Sequence, residues 1–248
     1  MRLASLALAA LASVAFASPA SAQWHLTTYR VTANNTPDFN GIPDGANSGC
    51  CSGLKTGWVQ AALSAGRPVL SVAGDTYAGT NAIISVAAGQ NIPWWTVGGM
   101  GGAVALDASG LYGGPGASFN TGASWFATGQ ANNSTIQRSA WFSGVATNSG
   151  SSNWSVAGDD DAWVFRNGQL VLDNGGVKAI GNASSGVTNW LAGDQVDIFV
   201  ADRNTVGSQL IFSANGLNVS TVPEPSTYVL MAFGLAGLGA AARRRRAV

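Results

Sequence analysis

Apolar and polar residues alternate in short runs along most of this 248-residue chain, which is the pattern of β-strands and not of long amphipathic helices. The clearest runs are 24–31, 139–145, 154–157, 195–201 and 209–213. Weaker apolar runs, bounded by Gly, Asp or Asn, predict strands at 68–73, 82–86, 94–97 and 103–106, and a helical turn at 58–64. Many short strands separated by turn residues indicate an all-β sandwich or barrel.

The most informative segment is 157–173, which has the pattern of a β-hairpin. Asn167-Gly168 is the two-residue signature of a type I′ turn, which needs positive φ at both positions. A turn at these residues pairs Ala162 with Asp173 at the open end. The same register predicts one buried face formed by four apolar side chains: Trp163, Phe165, Leu170 and Leu172.

The open end of this hairpin gathers carboxylates. The predicted register brings four of them together: Asp159, Asp160, Asp161 and Asp173. Like charges at close range repel unless a counter-ion offsets them, and oxygen ligands select a hard cation. We therefore predict a Ca²⁺ site formed by these four residues. The alternative is that the acidic run is only a solvated turn at the start of a strand.

Residues 158–176, with the sequence GDDDAWVFRNGQLVLDNGG, resemble the central motif of fibro-slime domains. Other segments match the pattern of that family: 36–39, 67–70 and 197–203 followed by Gly207-Ser208. The resemblance implies an all-β fold, a β-sandwich of the PA14-like jelly-roll type, and some PA14 relatives bind glycans through calcium held by paired aspartates. Asp202 stands where the family usually has Glu, and Lys178 stands where it usually has His.

The N-terminus has the three parts of a secretory signal peptide. Arg2 provides the basic start, 3–16 the apolar run, and Ala20-Ser21-Ala22 the small-residue cleavage site. We therefore predict that residues 1–22 are removed by signal peptidase, with cleavage between Ala22 and Gln23.

The C-terminal residues 222–248 also have the pattern of a sorting signal. The motif Pro223, Glu224 and Pro225 precedes the apolar run 228–242. Four arginines follow that run: Arg243, Arg244, Arg245 and Arg246. Fifteen apolar residues are fewer than the roughly 20 of a permanent transmembrane helix, so a short tail anchor is one interpretation. The order of the three parts resembles the PEP-CTERM signal of Gram-negative bacteria, which implies transient membrane insertion, recognition by an exosortase and removal of the tail.

Residues 23–221 then form a single predicted domain of 199 residues. They contain seven basic residues and eleven Asp, a formal charge of −4, so nucleic acid is excluded as an expected partner. Cys50 and Cys51 are adjacent. Three states are open to them: a strained vicinal disulfide, pairing between chains, or free thiols. Export favours oxidation, and we favour a local constraint on the loop.

Catalytic residues are scarce in this predicted domain. His25 is its one histidine, and Glu224, the one glutamate of the chain, lies in the sorting signal. A glycosidase needs two carboxyl groups with different pKa values on opposite sides of a sugar, whereas these aspartates converge on one point. We therefore expect no enzyme activity.

Trp94 and Trp95 are the candidate ligand-binding residues. Neighbouring residues of one strand point to opposite faces, so one of these indoles is exposed as a platform for a sugar ring, or both lie in a two-sided core.

The sequence supports three hypotheses. The first is an exported, exosortase-processed protein of the cell surface or exopolysaccharide matrix, which binds carbohydrate or acts as a scaffold in biofilm with Ca²⁺ at its acidic hairpin. The second is a secreted polysaccharide hydrolase, and the third is a structural coat protein without a ligand.

Overall fold

The computed structural model describes residues 23–32, 37–39, 53–71, 86–113, 116–123, 125, 136–203 and 208–221. The predicted signal peptide, the sorting signal and the Cys50-Cys51 pair lie outside these residues, as does nearly all of the strand predicted at 82–86.

The described residues contain eleven strands. In chain order they are β1 (Trp24–Thr32), β2 (Val104–Tyr112), β3 (Phe119–Asn120), β4 (Ile136–Ala146), β5 (Gly150–Asp159), β6 (Asp161–Arg166), β7 (Gln169–Asn174), β8 (Ser184–Trp190), β9 (Gln195–Asp202), β10 (Gln209–Ala214) and β11 (Val219–Ser220). Helical structure in these residues is limited to two 3-10 turns, Pro37–Phe39 and Pro93–Trp95, and one helical turn, Gly99–Gly102. In this part of the chain, no helix has the length and apolar character needed to cross a membrane.

The strands form two antiparallel sheets. The large sheet has the order β2-β1-β4-β9-β6-β7, with β11 paired to β4, and the small sheet has the order β3-β10-β5-β8. Side chains that alternate along each strand fill the space between the sheets. The members of this sandwich core include Phe142, Trp154, Val164, Ile198, Leu210 and Phe212. The predicted all-β sandwich is therefore confirmed.

A second core covers part of the outer face of the large sheet. Its large side chains include Trp58, Trp94, Trp95, Trp163, Phe165 and Phe199. Because this layer covers the large sheet from outside, residues 196–202 of β9 are buried on both faces of the strand. The layer contains isolated bridges such as Val59↔Leu70 and Ala62↔Gln169. The predictions of a helical turn at 58–64 and of a strand over 68–71 are therefore wrong, and residues 72–73 of that predicted strand lie outside the described residues. The strand predicted at 94–97 is also wrong, because Pro93–Trp95 is a 3-10 turn.

The β6–β7 hairpin turns at Asn167 and Gly168, as predicted, with φ values of 50° and 74°. Its register differs from the prediction beyond the first two pairs, because an irregularity between Val164 and Phe165 shifts the partner strand by one residue. Trp163 faces Asp173, and Val164 faces Leu172. The prediction of one shared apolar face is therefore wrong: Leu172 and Val164 join the sandwich core, whereas Trp163 and Phe165 join the outer core.

We expect Gly168→Val to lower the free energy of unfolding by about 1–3 kcal/mol, because φ of 74° is strained for a β-branched residue. A Cβ at Gly168 would meet no described atom within 4 Å, so the loss would come from the backbone and not from a clash. Gly110→Val is the matched control, since that glycine has equal space, lies in extended strand β2 and has no positive φ. Urea unfolding measures both variants, and equal losses would contradict the assigned turn.

Candidate functional site: an acidic corner between the two sheets

The acidic run lies where the chain passes from one sheet to the other. Asp159 ends β5 of the small sheet and Asp161 begins β6 of the large sheet, so Asp160 is the corner residue. The Asp159–Asp160 peptide bond is cis, and the Asp160 N–H donates to the carbonyl oxygen of Ala201 at 3.2 Å. We use the name acidic corner for Asp159, Asp160, Asp161 and Asp173 with the two cations that contact them, Lys178 and Arg203.

The three consecutive aspartates of the acidic corner are buried. Asp159 is 9% exposed, Asp160 1% and Asp161 0%, and the segment 175–178 that follows β7 is buried as well. The interpretation of the run as a solvated turn is therefore wrong. The hairpin signal could not indicate this burial, because the covering segment comes after β7 and not from the hairpin itself.

Backbone N–H groups hold the carboxylates of the corner. Asp160 accepts one N–H on each oxygen, from Lys178 at 2.9 Å and from Arg203 at 2.8 Å. Asp161 accepts the N–H of Gly176 at 2.5 Å. These bonds tie the corner to the segment after β7 and to the end of β9, so the run connects three parts of the chain.

Asp173 is held by other partners, although it lies on the neighbouring strand. It accepts the N–H of Gly57 at 2.6 Å and the indole N–H of Trp163 at 2.9 Å. The register shift accounts for the second bond, because it places Asp173 opposite Trp163 and not opposite Ala162. Burial raises the pKa of Asp173, and the nearby Asp161 charge raises it further, against the hydrogen bonds from Gly57, Trp163 and Gly175.

The corner also contains two buried cations. Neither was predicted as a site residue from the sequence. Lys178 is 2% exposed, and its Nζ donates to the carbonyl oxygens of Asp160, of Asn174 at 3.0 Å and of Gly176 at 3.4 Å. Arg203 is 2% exposed and lies 3.4 Å from an Asp161 carboxylate oxygen. The one signal available in the sequence was that Lys178 departs from the family pattern.

Burial dominates the electrostatics of this cluster. It raises the pKa of Asp160 to about 7, with further contributions from the charges of Asp161 and Asp159 and opposition from the N–H groups of Arg203 and Lys178. Burial also raises the pKa of Asp159 to about 6, although the Lys178 charge opposes that shift. Burial lowers the pKa of Lys178, whereas the charges of all four carboxylates act in the opposite direction and raise it.

The predicted calcium ion needs free oxygen ligands. In the described residues, no group of three or more His, Cys, Asp or Glu side chains has the arrangement of a metal site. Both carboxylate oxygens of Asp160, both of Asp173 and one of Asp161 already accept N–H groups, and the side chains of Lys178 and Arg203 lie beside them. Calcium at Asp159, Asp160, Asp161 and Asp173 stays a prediction.

The predicted sugar platform at Trp94 and Trp95 is wrong, because both indoles are 0% exposed. Pro93–Trp95 is a 3-10 turn and not a strand, so the two side chains do not alternate and both reach the outer core. Their ring centroids lie 5.4 Å apart, and Trp94 stacks on Trp163 at 6.1 Å. Both indole N–H groups are used internally, that of Trp94 by Asp38 at 2.8 Å and that of Trp95 by the Ala140 carbonyl oxygen at 2.9 Å.

The part of the outer face beside the outer core carries polar groups around a half-buried indole. We call it the polar face, and its members are His25, Arg67, Trp141, Ser143, Gln195 and Asp197. The Trp141 indole N–H and the Gln195 amide both donate to Asp197, at 2.9 and 3.1 Å, and the same amide donates to the Ser143 hydroxyl. The Arg67 guanidinium lies 4.5 Å from the Trp141 ring centre. Burial raises the pKa of Asp197, against its hydrogen bonds to Trp141, Gln195 and Ser143.

Sequence comparison confirms the C-terminal sorting signal. Residues 221–246 match the PEP-CTERM protein-sorting motif. The chain is therefore an exported protein that carries a cell-surface sorting motif. Protein psiE of Dictyostelium discoideum is 37% identical over 75 residues, which are 29% of this chain and 15% of that relative, so the chain spans only a small part of its length.

Among solved structures, the chain is similar to PA14 domains. The PA14 domain of the MpAFP antifreeze protein has a TM-score of 0.35 and 14% identity, over 84% of this chain and 95% of that domain. The PA14 sugar-binding domain from an RTX adhesin has a TM-score of 0.28 and 16% identity, over 34% of this chain and 51% of that one.

Proposed function

We propose that this chain is a carbohydrate-binding protein of the cell surface or exopolysaccharide matrix of a Gram-negative bacterium, exported and then processed by an exosortase. The observation that supports export is the PEP-CTERM motif at 221–246. The observation that supports carbohydrate binding is the chemistry of the polar face.

Sugars are recognised by polar side chains that exchange hydrogen bonds with hydroxyl groups, next to an aromatic surface. The polar face combines an amide, a hydroxyl, a carboxylate and an imidazole with the indole of Trp141. Gln195 and Trp141 are both partly exposed, whereas Asp197 is 4% exposed and positions their N–H groups. This face is the surface through which we propose that the glycan binds.

We expect Gln195→Ala to weaken binding of the host's own exopolysaccharide by about 2- to 12-fold, the equivalent of one hydrogen bond. Gln209→Ala is the matched control, because Gln209 is also partly exposed and bonded to one side chain, Asn120, but lies in the small sheet. Isothermal titration of the mature protein with purified polysaccharide measures both affinities. Equal affinities of the two variants would exclude the polar face, and no binding by the wild type would favour the coat protein.

The exported protein is expected to begin at Gln23 and to lack Arg243, Arg244, Arg245 and Arg246. Cleavage after Ala22 leaves β1 complete, because that strand begins at Trp24, and it keeps the Gln23 N–H that donates to Val219. Intact mass spectrometry of the protein isolated from its host measures both ends. Recovery of the arginines on exported protein would instead indicate a tail anchor.

We also propose that the domain is not catalytic. The carboxyl groups of Asp160 and Asp161 are buried and bonded to N–H groups, and the His25 imidazole is bonded to the Ser109 hydroxyl at 2.9 Å. None of these groups is arranged around a shared reacting position. A reducing-sugar assay on the host's matrix is expected to show no release, and steady release by the wild type would favour the hydrolase.

A further inference from the structure

We infer that the Lys178 ammonium is the built-in counter-cation of the acidic corner, so that this chain holds the corner together without calcium. The inference concerns the fold and does not depend on the proposed carbohydrate binding. It also disagrees with the calcium ion that the four aspartates predict, and the same measurements decide between the two.

The geometry around Lys178 is that of a bound cation. An ammonium has three N–H donors and no acceptor, and Nζ has three carbonyl partners. They come from three places: Asp160 at the corner, Asn174 at the end of β7 and Gly176 in the segment that follows. Converging carbonyl and carboxylate oxygens are the ligands that a hard metal ion takes, and here the ammonium lies among them.

The carboxylate oxygens are also engaged. Calcium takes six to eight oxygen ligands, whereas both Asp160 oxygens already accept backbone N–H groups. Asp161 accepts the N–H of Gly176 and pairs with Arg203. A calcium ion at this point would have to displace the Lys178 ammonium and break hydrogen bonds that connect the corner to β9.

Charge and burial agree with this arrangement. Lys178 is 2% exposed and is surrounded by the charges of Asp159, Asp160, Asp161 and Asp173. A buried ammonium group is stable only with such partners, and the carboxylates need a cation for the same reason. The ammonium and the carboxylates therefore stabilise each other within one chain.

The first test is thermal unfolding of the mature wild-type protein, which needs no glycan. We expect the Tm in millimolar CaCl₂ and in EGTA to agree within about 1 °C. A resident calcium ion would raise the Tm by roughly 5–10 °C at saturation, and a rise of that size would overturn the inference. Because this arm uses the wild type, it gives an answer even when a variant does not fold.

The second test removes the ammonium. In EGTA, Lys178→Ala is expected to lower the Tm by roughly 6–20 °C, because it leaves buried carboxylates without their cation. Lys55→Ala, at the other lysine of the mature chain, is the control and should lower the Tm by less than about 4 °C. Equal losses at the two lysines would overturn the inference.

A third variant separates charge from packing. Asp159→Asn removes one negative charge beside Lys178 and leaves the two N–H bonds of Asp160 in place. Combined with Lys178→Ala it should restore part of the lost Tm, because less repulsion remains at the corner. A purely additive loss in the double variant would mean that Lys178 acts by packing alone, and would overturn the inference.

Discussion

Arg203→Met is expected to lower the free energy of unfolding by about 3–5 kcal/mol, and the Tm by roughly 6–20 °C, because it leaves the Asp161 carboxylate buried without its partner. The two side chains are 1% and 0% exposed, so water cannot replace the lost ion pair. Arg203 also donates to the Asp38 carbonyl oxygen at 2.8 Å and lies 4.9 Å from the Trp94 ring centre. One substitution therefore loosens both the acidic corner and the outer core.

The matched control for this prediction is Arg30→Met. Arg30 forms the same kind of pair with Asp107 at 2.9 Å, but its side chain is 52% exposed, and such pairs contribute about 0–1 kcal/mol. Adding Asp161→Asn to Arg203→Met should recover part of the loss, since the unpaired charge is then removed. Urea unfolding monitored by tryptophan fluorescence measures all the variants, and a loss equal to that of Arg30→Met would contradict the buried pair.

Trp95→Ala is expected to cause a loss of similar size, about 3–5 kcal/mol, because it opens a cavity in the outer core. The indole is 0% exposed and lies 5.2 Å from Phe199 between ring centres. Its N–H lies between β4 and β9 and donates to the carbonyl oxygens of Ala140 and Val200. Truncation therefore removes apolar contacts together with a bond that joins two central strands.

Leu111→Ala is the control for Trp95→Ala, since Leu111 is 63% exposed and should change stability by less than about 0.5 kcal/mol. Calorimetry of the two variants and a glycan-binding assay separate a core residue from a sugar platform. A platform at Trp95 would lose sugar affinity on truncation while the Tm stayed unchanged. That combination would contradict the burial of Trp95.

The fold class and the turn of the hairpin were predictable because both depend on local sequence. Strand alternation is a property of neighbouring residues, and Asn167-Gly168 forms a turn that few other pairs adopt without strain. The C-terminal signal was predictable for the same reason, since its proline motif, apolar run and arginines are contiguous.

The faces of the hairpin were less predictable. One extra residue in β7, opposite the junction of Val164 and Phe165, moves Leu172 and Asp173 to the other side of the sheet. Apolar residues occur on both faces of the hairpin, because β6 is covered by the sandwich core on one face and by the outer core on the other. The pattern of apolar and polar residues therefore could not have located the extra residue in β7.

By itself, the sequence determined the all-β class, the turn at Asn167-Gly168, the four neighbouring aspartates and the C-terminal sorting motif, all of which depend on residues close together in the chain. Only the tertiary structure decided what surrounds those aspartates. Their cations lie 18 and 43 residues beyond Asp160, in a segment after β7 and at the end of β9. The physical reason is burial, because a desolvated carboxylate depends on partners that only the packing of the two sheets brings to it.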